Sequence, residues 1–129
     1  MRLELSIRSD LALRGLRILA SSGERIKRES LASQLRTSPD FLARIMAVLV
    51  SRGWVGSRTG PSGGYELAES AKQISVFELI EAIEGVPPED RCVLKKTGCD
   101  PARPCALHEA WSRARKALFE ELEGSPVIQ

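Results

Sequence analysis

The stretch ESLASQLRTSPDFLARIMAVLVSRGWVGSRTGPSGGYEL, residues 29–67, decides how the rest of the chain is read. Its first apolar residues, Leu31, Ala32 and Leu35, make one narrow stripe that predicts a short helix over residues 29–35. Thr37-Ser38-Pro39-Asp40 then supplies a serine N-cap with proline at the first helical position, where its missing N–H costs nothing. Leu42, Ile45, Met46 and Leu49 recur at i, i+3, i+4 and i+7, so a second helix is expected over residues 39–52, ended by Gly53. Two short helices joined by a tight turn are a helix-turn-helix signature. Residues 54–58 read as a strand, residues 59–64 as a tight loop and residues 65–67 as the returning strand. A glycine-rich hairpin alone is an ordinary surface feature. Placed after a helix-turn-helix it reads as a wing, whose glycines let the backbone come close to a phosphate or a minor groove while Arg58 adds charge at its base.

On the N-terminal side, Leu11, Ala12, Leu16, Leu19 and Ala20 predict a helix over residues 9–20, stopped by Ser21-Ser22-Gly23. On the other side, Ser75 caps a helix carrying Val76, Leu79, Ile80 and Ile83, with Glu78 completing a capping box and Gly85-Val86-Pro87-Pro88 ending it. Residues 89–104 lack apolar periodicity, and a loop of that length in a small domain usually exists for function. A last helix over residues 105–123 carries Leu107, Trp111, Ala114, Leu118 and Leu122 at steps of four, three, four and four. That narrow seam suits a partner helix. Packing within one subunit is the alternative, but a protein with one recognition helix gains from a second half-site, which favours a homodimer. The expected architecture is mainly α with a small β-wing: a winged helix-turn-helix plus a long C-terminal dimerisation helix. It forms one structural domain with a DNA-binding region at residues 1–85, a cysteine-bearing loop at 86–105, and a dimerisation helix and tail at 106–129.

At 129 residues the chain can bury a core without disulfides or metal, so any metal is expected to be functional. No apolar run approaches the roughly 20 residues a membrane span needs, and charges interrupt the opening residues where a signal peptide would be apolar. A cytoplasmic protein without a membrane partner is expected. The net charge of +2 hides a division: residues 1–66 carry 11 Lys and Arg against 6 Asp and Glu, and residues 67–129 carry 8 against 11. The basic half points to a polyanion, here a double-stranded DNA operator. Ser38, Pro39, Asp40, Phe41 and Arg44 at the start of the recognition helix, with Arg58, Gly60, Ser62 and Gly63 of the wing, are the expected DNA contacts. An enzyme is disfavoured by a single histidine, no phosphate-binding glycine loop and no nucleophile–base pair. Six scattered aromatics also argue against single-strand binding by stacking.

Cysteine is confined to the back half, at Cys92, Cys99 and Cys105, with six and five residues between them. An odd count cannot pair fully within a chain. Lys95, Lys96 and Arg103 would lower the thiol pKa values, and His108 lies one helical turn beyond Cys105. Structural zinc draws on tight pairs two to four residues apart, which are missing, whereas iron–sulfur clusters accept thiolates at wider spacings and sometimes a histidine. Spacing alone leaves an iron–sulfur cluster, zinc and unliganded thiols open.

Several motifs together resemble the Rrf2 family of bacterial winged-helix regulators: Met1-Arg2-Leu3, Ser9-Asp10-Leu11-Ala12-Leu13-Arg14, the wing Gly60-Pro61-Ser62-Gly63-Gly64-Tyr65, residues 74–85, and three cysteines before a C-terminal helix. The resemblance covers nearly the whole chain. It implies that Cys92, Cys99 and Cys105 ligate a 2Fe–2S or 4Fe–4S cluster sensing nitric oxide, oxygen, redox state or iron–sulfur supply. It also implies a fourth ligand. IscR-like members use a histidine at the position of His108, whereas NsrR-like members can use an aspartate of the partner subunit at the position of Asp10. Without such a role, Asp10 reads as a helix N-cap and His108 as an exposed helix residue.

Overall fold

The first helix, α1 (Ile7–Ser22), is opened by Ser6, whose hydroxyl accepts from the Ser9 N–H at 3.2 Å, and closed by Gly23 in the left-handed conformation. It starts two residues before the expected window, and Asp10 lies within its first turn instead of capping it. The reason is non-local. The Ser9 side chain is buried and donates to the Glu84 carboxylate, which leaves the capping position to Ser6. A computed structural model describes residues 5–85 and 102–129 of the chain.

Helix α2 (Arg28–Leu35) buries the expected Leu31, Ala32 and Leu35. Helix α3 (Pro39–Ser51) begins as the sequence dictates, with Ser38 Oγ accepting from the Phe41 N–H at 3.1 Å, and buries Leu42, Ile45, Met46 and Leu49. Each such fully buried side chain contributes roughly 1.5–3 kcal/mol by leaving water. Strands β1 (Val55–Arg58) and β2 (Gly64–Leu67) pair antiparallel, Val55 opposite Leu67 and Arg58 opposite Gly64. Beyond the expected hairpin, Ile26 and Tyr65 exchange both backbone hydrogen bonds, at 2.9 and 2.8 Å, tying the wing to the link between α1 and α2.

A short 3-10 turn, Glu69–Gln73, leads to α4 (Val76–Glu84), where the Ser75–Glu78 capping box forms in full. Helix α1 lies centrally, against α2, α3 and α4. Gly15 sits at its approach to α3, where an added Cβ would stand 3.0 Å from Met46 Cε. The last helix, α5 (His108–Glu123), starts three residues later than expected, after a turn in which the His108 N–H donates to Cys105 O, and its N-cap, Leu107, makes no side-chain cap bond. Cys105 therefore precedes the helix. After α5 the chain returns to the core: the Val76 N–H donates to Ser125 O at 2.8 Å, the Val127 N–H to Ile74 O at 3.1 Å, and Arg17 Nε to Val127 O at 2.9 Å. Val127 is completely buried. No helix among the described residues is long and apolar enough to cross a membrane.

Candidate DNA-reading surface and cysteine region

The turn between α2 and α3 delivers Ser38, Asp40 and Arg44 to the exposed face of the recognition helix, while Pro39 and Phe41 are half-buried beside it. On the wing, Arg58, Gly60 and Ser62 are exposed, whereas Gly63 is buried: a Cβ there would overlap Arg58 O and stand 2.8 Å from the Thr59 carbonyl carbon. Gly63 therefore shapes the loop from inside, and Gly60 and Ser62 form its outer edge. Across from the wing, the start of α2 brings Lys27 and Arg28 to a cleft of about 370 Å³ shared with Arg58, Gly60 and Tyr65. Burial raises the Tyr65 pKa, partly offset by the nearby Arg28 charge.

Sequence reasoning passed over Lys27 and Arg28, although the run Arg25-Ile26-Lys27-Arg28 carried the signal. The structure also separates those charges by availability. Arg25 pairs with Glu66 at 3.2 Å and Arg28 with Glu29 at 3.7 Å, whereas Arg36, Arg44 and Arg58 form no ion pair among the described residues. The recognition helix, the wing and unneutralised arginines are the parts a duplex reader needs for its backbone and groove contacts.

Of the expected cluster ligands, Cys92 and Cys99 lie outside the described residues. Cys105 is half-buried, and its carbonyl accepts from the His108 N–H at 3.1 Å, so the two share one turn at the start of α5. His108 is half-buried. Asp10 is exposed, and its carboxylate is held by Arg14 at 3.0 Å, one turn along α1. Among the described residues, no three His, Cys, Asp or Glu side chains gather closely enough to hold a metal ion. The donor types nevertheless fit an iron–sulfur centre, which takes cysteine thiolates and tolerates one ligand of another kind.

The seam of α5 divides into two parts. Trp111 and Leu122 are half-buried, while Leu107, Ala114 and Leu118 are exposed, Leu107 by 45% and Leu118 by 50%. The contact with the body of the subunit runs along an adjacent face, where Phe119 meets Phe77 with ring centroids 5.2 Å apart. No residue of α5 is fully buried.

Residues 5–127 match the family model described as Rrf2, iron-dependent transcriptional regulator. Protein rrf2 of Nitratidesulfovibrio vulgaris is 27% identical over 122 residues, covering 93% of this chain and 81% of that protein. The HTH-type transcriptional regulator IscR of Cronobacter sakazakii is 36% identical over 74 residues, 57% of this chain and 45% of that protein. The structure of CymR, the global cysteine regulator of B. subtilis, superposes with a TM-score of 0.75 at 25% identity, covering 98% of this chain and 94% of that one. With a winged helix-turn-helix in place and a family model spanning nearly the whole sequence, the chain belongs to the Rrf2 family: it is a DNA-binding transcriptional regulator, not an enzyme.

Proposed function

We propose that this regulator is a homodimer whose operator affinity is controlled by an iron–sulfur cluster, 2Fe–2S or 4Fe–4S, held by Cys92, Cys99, Cys105 and either Asp10 or His108. The observation that carries the reading is the position of Cys105 and His108 on one turn at the head of α5. Ligation there would act directly on a helix that packs against the DNA-binding body through Phe77 and through the tail beyond Gly124. The cluster, when bound, supplies a centre that reacts with nitric oxide or oxidants. The protein's part is to hold it through Cys92, Cys99 and Cys105 ahead of α5, and to carry the change there to the DNA-binding body.

In this reading Ser38, Asp40, Phe41 and Arg44, set by Pro39, face the major groove, while Arg58, Gly60 and Ser62, supported by Gly63, follow the backbone or minor groove. Leu107, Trp111, Ala114, Leu118 and Leu122 form the dimer seam. The exposure of three of these five supports that assignment, because a single-sided apolar helix left uncovered in one subunit is suited to a second copy.

Anaerobic purification followed by iron and sulfide analysis and visible absorbance tests the ligand set. Cys99→Ala is expected to abolish the absorbance, and either Asp10→Ala or His108→Ala, but not both, to change its spectrum. Colourless, iron-free native protein would exclude the cluster. A second reading, a cluster-free regulator responding to a small metabolite, is favoured by the likeness over nearly the full length to a global cysteine regulator. It predicts that iron-free outcome. Zinc on elemental analysis without visible absorbance would mark a zinc-stabilised module instead.

A further inference from the structure

The turn of the helix-turn-helix contains one residue whose backbone and side chain pull in opposite directions. At the end of α2 the Thr37 N–H donates to Ala32 O at 3.0 Å and the Arg36 N–H to Ser33 O at 3.2 Å, the paired bonds of a Schellman motif. The residue between them must be left-handed. Arg36 occupies it with φ 55° and ψ 47°, and is the one residue other than glycine with positive φ among the described residues. Glycine is the usual occupant because a Cβ is disfavoured in this conformation, and arginine gains nothing locally in exchange. Its guanidinium has no ion pair or hydrogen-bond partner among the described residues, so intramolecular contacts do not repay the strain.

Its position offers a reason. Arg36 is exposed and stands two residues before Ser38, the cap of the recognition helix. When the start of that helix enters the major groove, the preceding turn comes against the edge of the groove, where the nearest groups are backbone phosphates. We infer that Arg36 is an additional DNA-anchoring residue, which binds a backbone phosphate beside the recognition helix, and that its charge is retained at the expense of the strain in the turn. The inference rests on the DNA-binding assignment and is independent of the cluster.

Arg36→Gly separates the two effects, since it relieves the backbone while removing the charge. The variant is expected to melt higher, by on the order of 2–4 °C. It should also bind a mixed-sequence duplex of about 30 base pairs roughly three- to tenfold more weakly at low salt, with a salt slope reduced by about 0.9 for each phosphate left unneutralised. Arg36→Lys, which keeps the charge, is expected to bind within about twofold of the native protein. Native affinity in Arg36→Gly, or an equal loss in Arg36→Lys, would overturn the inference. Failure of the native protein itself to bind the duplex would instead count against the DNA-binding assignment on which the inference stands.

Discussion

Gly63 and Gly64 are fixed by the backbone around them. A Cβ on Gly64 would overlap Ile26 O and stand 2.7 Å from the Ile26 carbonyl carbon, at the rung that joins the wing to the α1–α2 link, and φ there is 133°. Gly60 also has positive φ, at 92°, but faces open space. Gly64→Ala is therefore expected to lower the unfolding free energy by about 2–4 kcal/mol and Gly60→Ala by about 1 kcal/mol, read by urea denaturation. Equal losses would contradict the difference in packing. The sequence marked this run as a tight turn, because glycine and proline announce turns locally. It could not separate the glycines that shape the loop from those on its edge, since that depends on Arg58 and Ile26 carbonyls brought close only by folding. The same limit applies at Ser9 and Asp10: the capping pattern is local, but the competing bond from Ser9 to Glu84 spans 75 positions.

Among the elements, α3 and α4 follow most directly from sequence. Their caps, Ser38 and Ser75, and their apolar stripes are all local signals, and each is found in the structure. Helix α5 carried a real stripe but no cap, so periodicity alone extended it back to Cys105. Its seam also mixes two roles. Trp111 and Leu122 border the intrasubunit contact, and Leu107, Ala114 and Leu118 lie outside it. Leu118→Glu is accordingly expected to leave the subunit folded by circular dichroism, since the side chain is half exposed there, while shifting sedimentation toward the monomer at micromolar concentration. An unchanged dimer would remove this face from the interface. A monomeric native protein would remove the dimer itself.

At the scale of the whole molecule, the DNA-reading half and the cysteine half share one mechanical frame. The tail after α5 bonds to Ile74 and Val76 at the start of α4 and receives Arg17 of α1, with Val127 seated in the core. A displacement of α5 thus bears on α1 and α4, the helices that support α3. None of this was legible in the sequence, where Ser125-Pro126-Val127 is a short unpatterned end and its partners lie about fifty residues away or more. The winged helix and the charged front were legible because they rest on local periodicity, capping and composition. The three cysteines were legible only as candidate donors, and of them the described residues include Cys105.

Control of DNA binding by the cluster is tested most directly by operator affinity in the two cluster states. A duplex selected from a random library by the anaerobically purified protein is titrated with that protein, then with the same preparation after nitric oxide has destroyed the cluster, with iron quantified in each sample. A coupling of about 1–3 kcal/mol predicts that affinity changes roughly five- to a hundredfold on cluster loss. Equal affinity before and after complete loss of iron would contradict the claim.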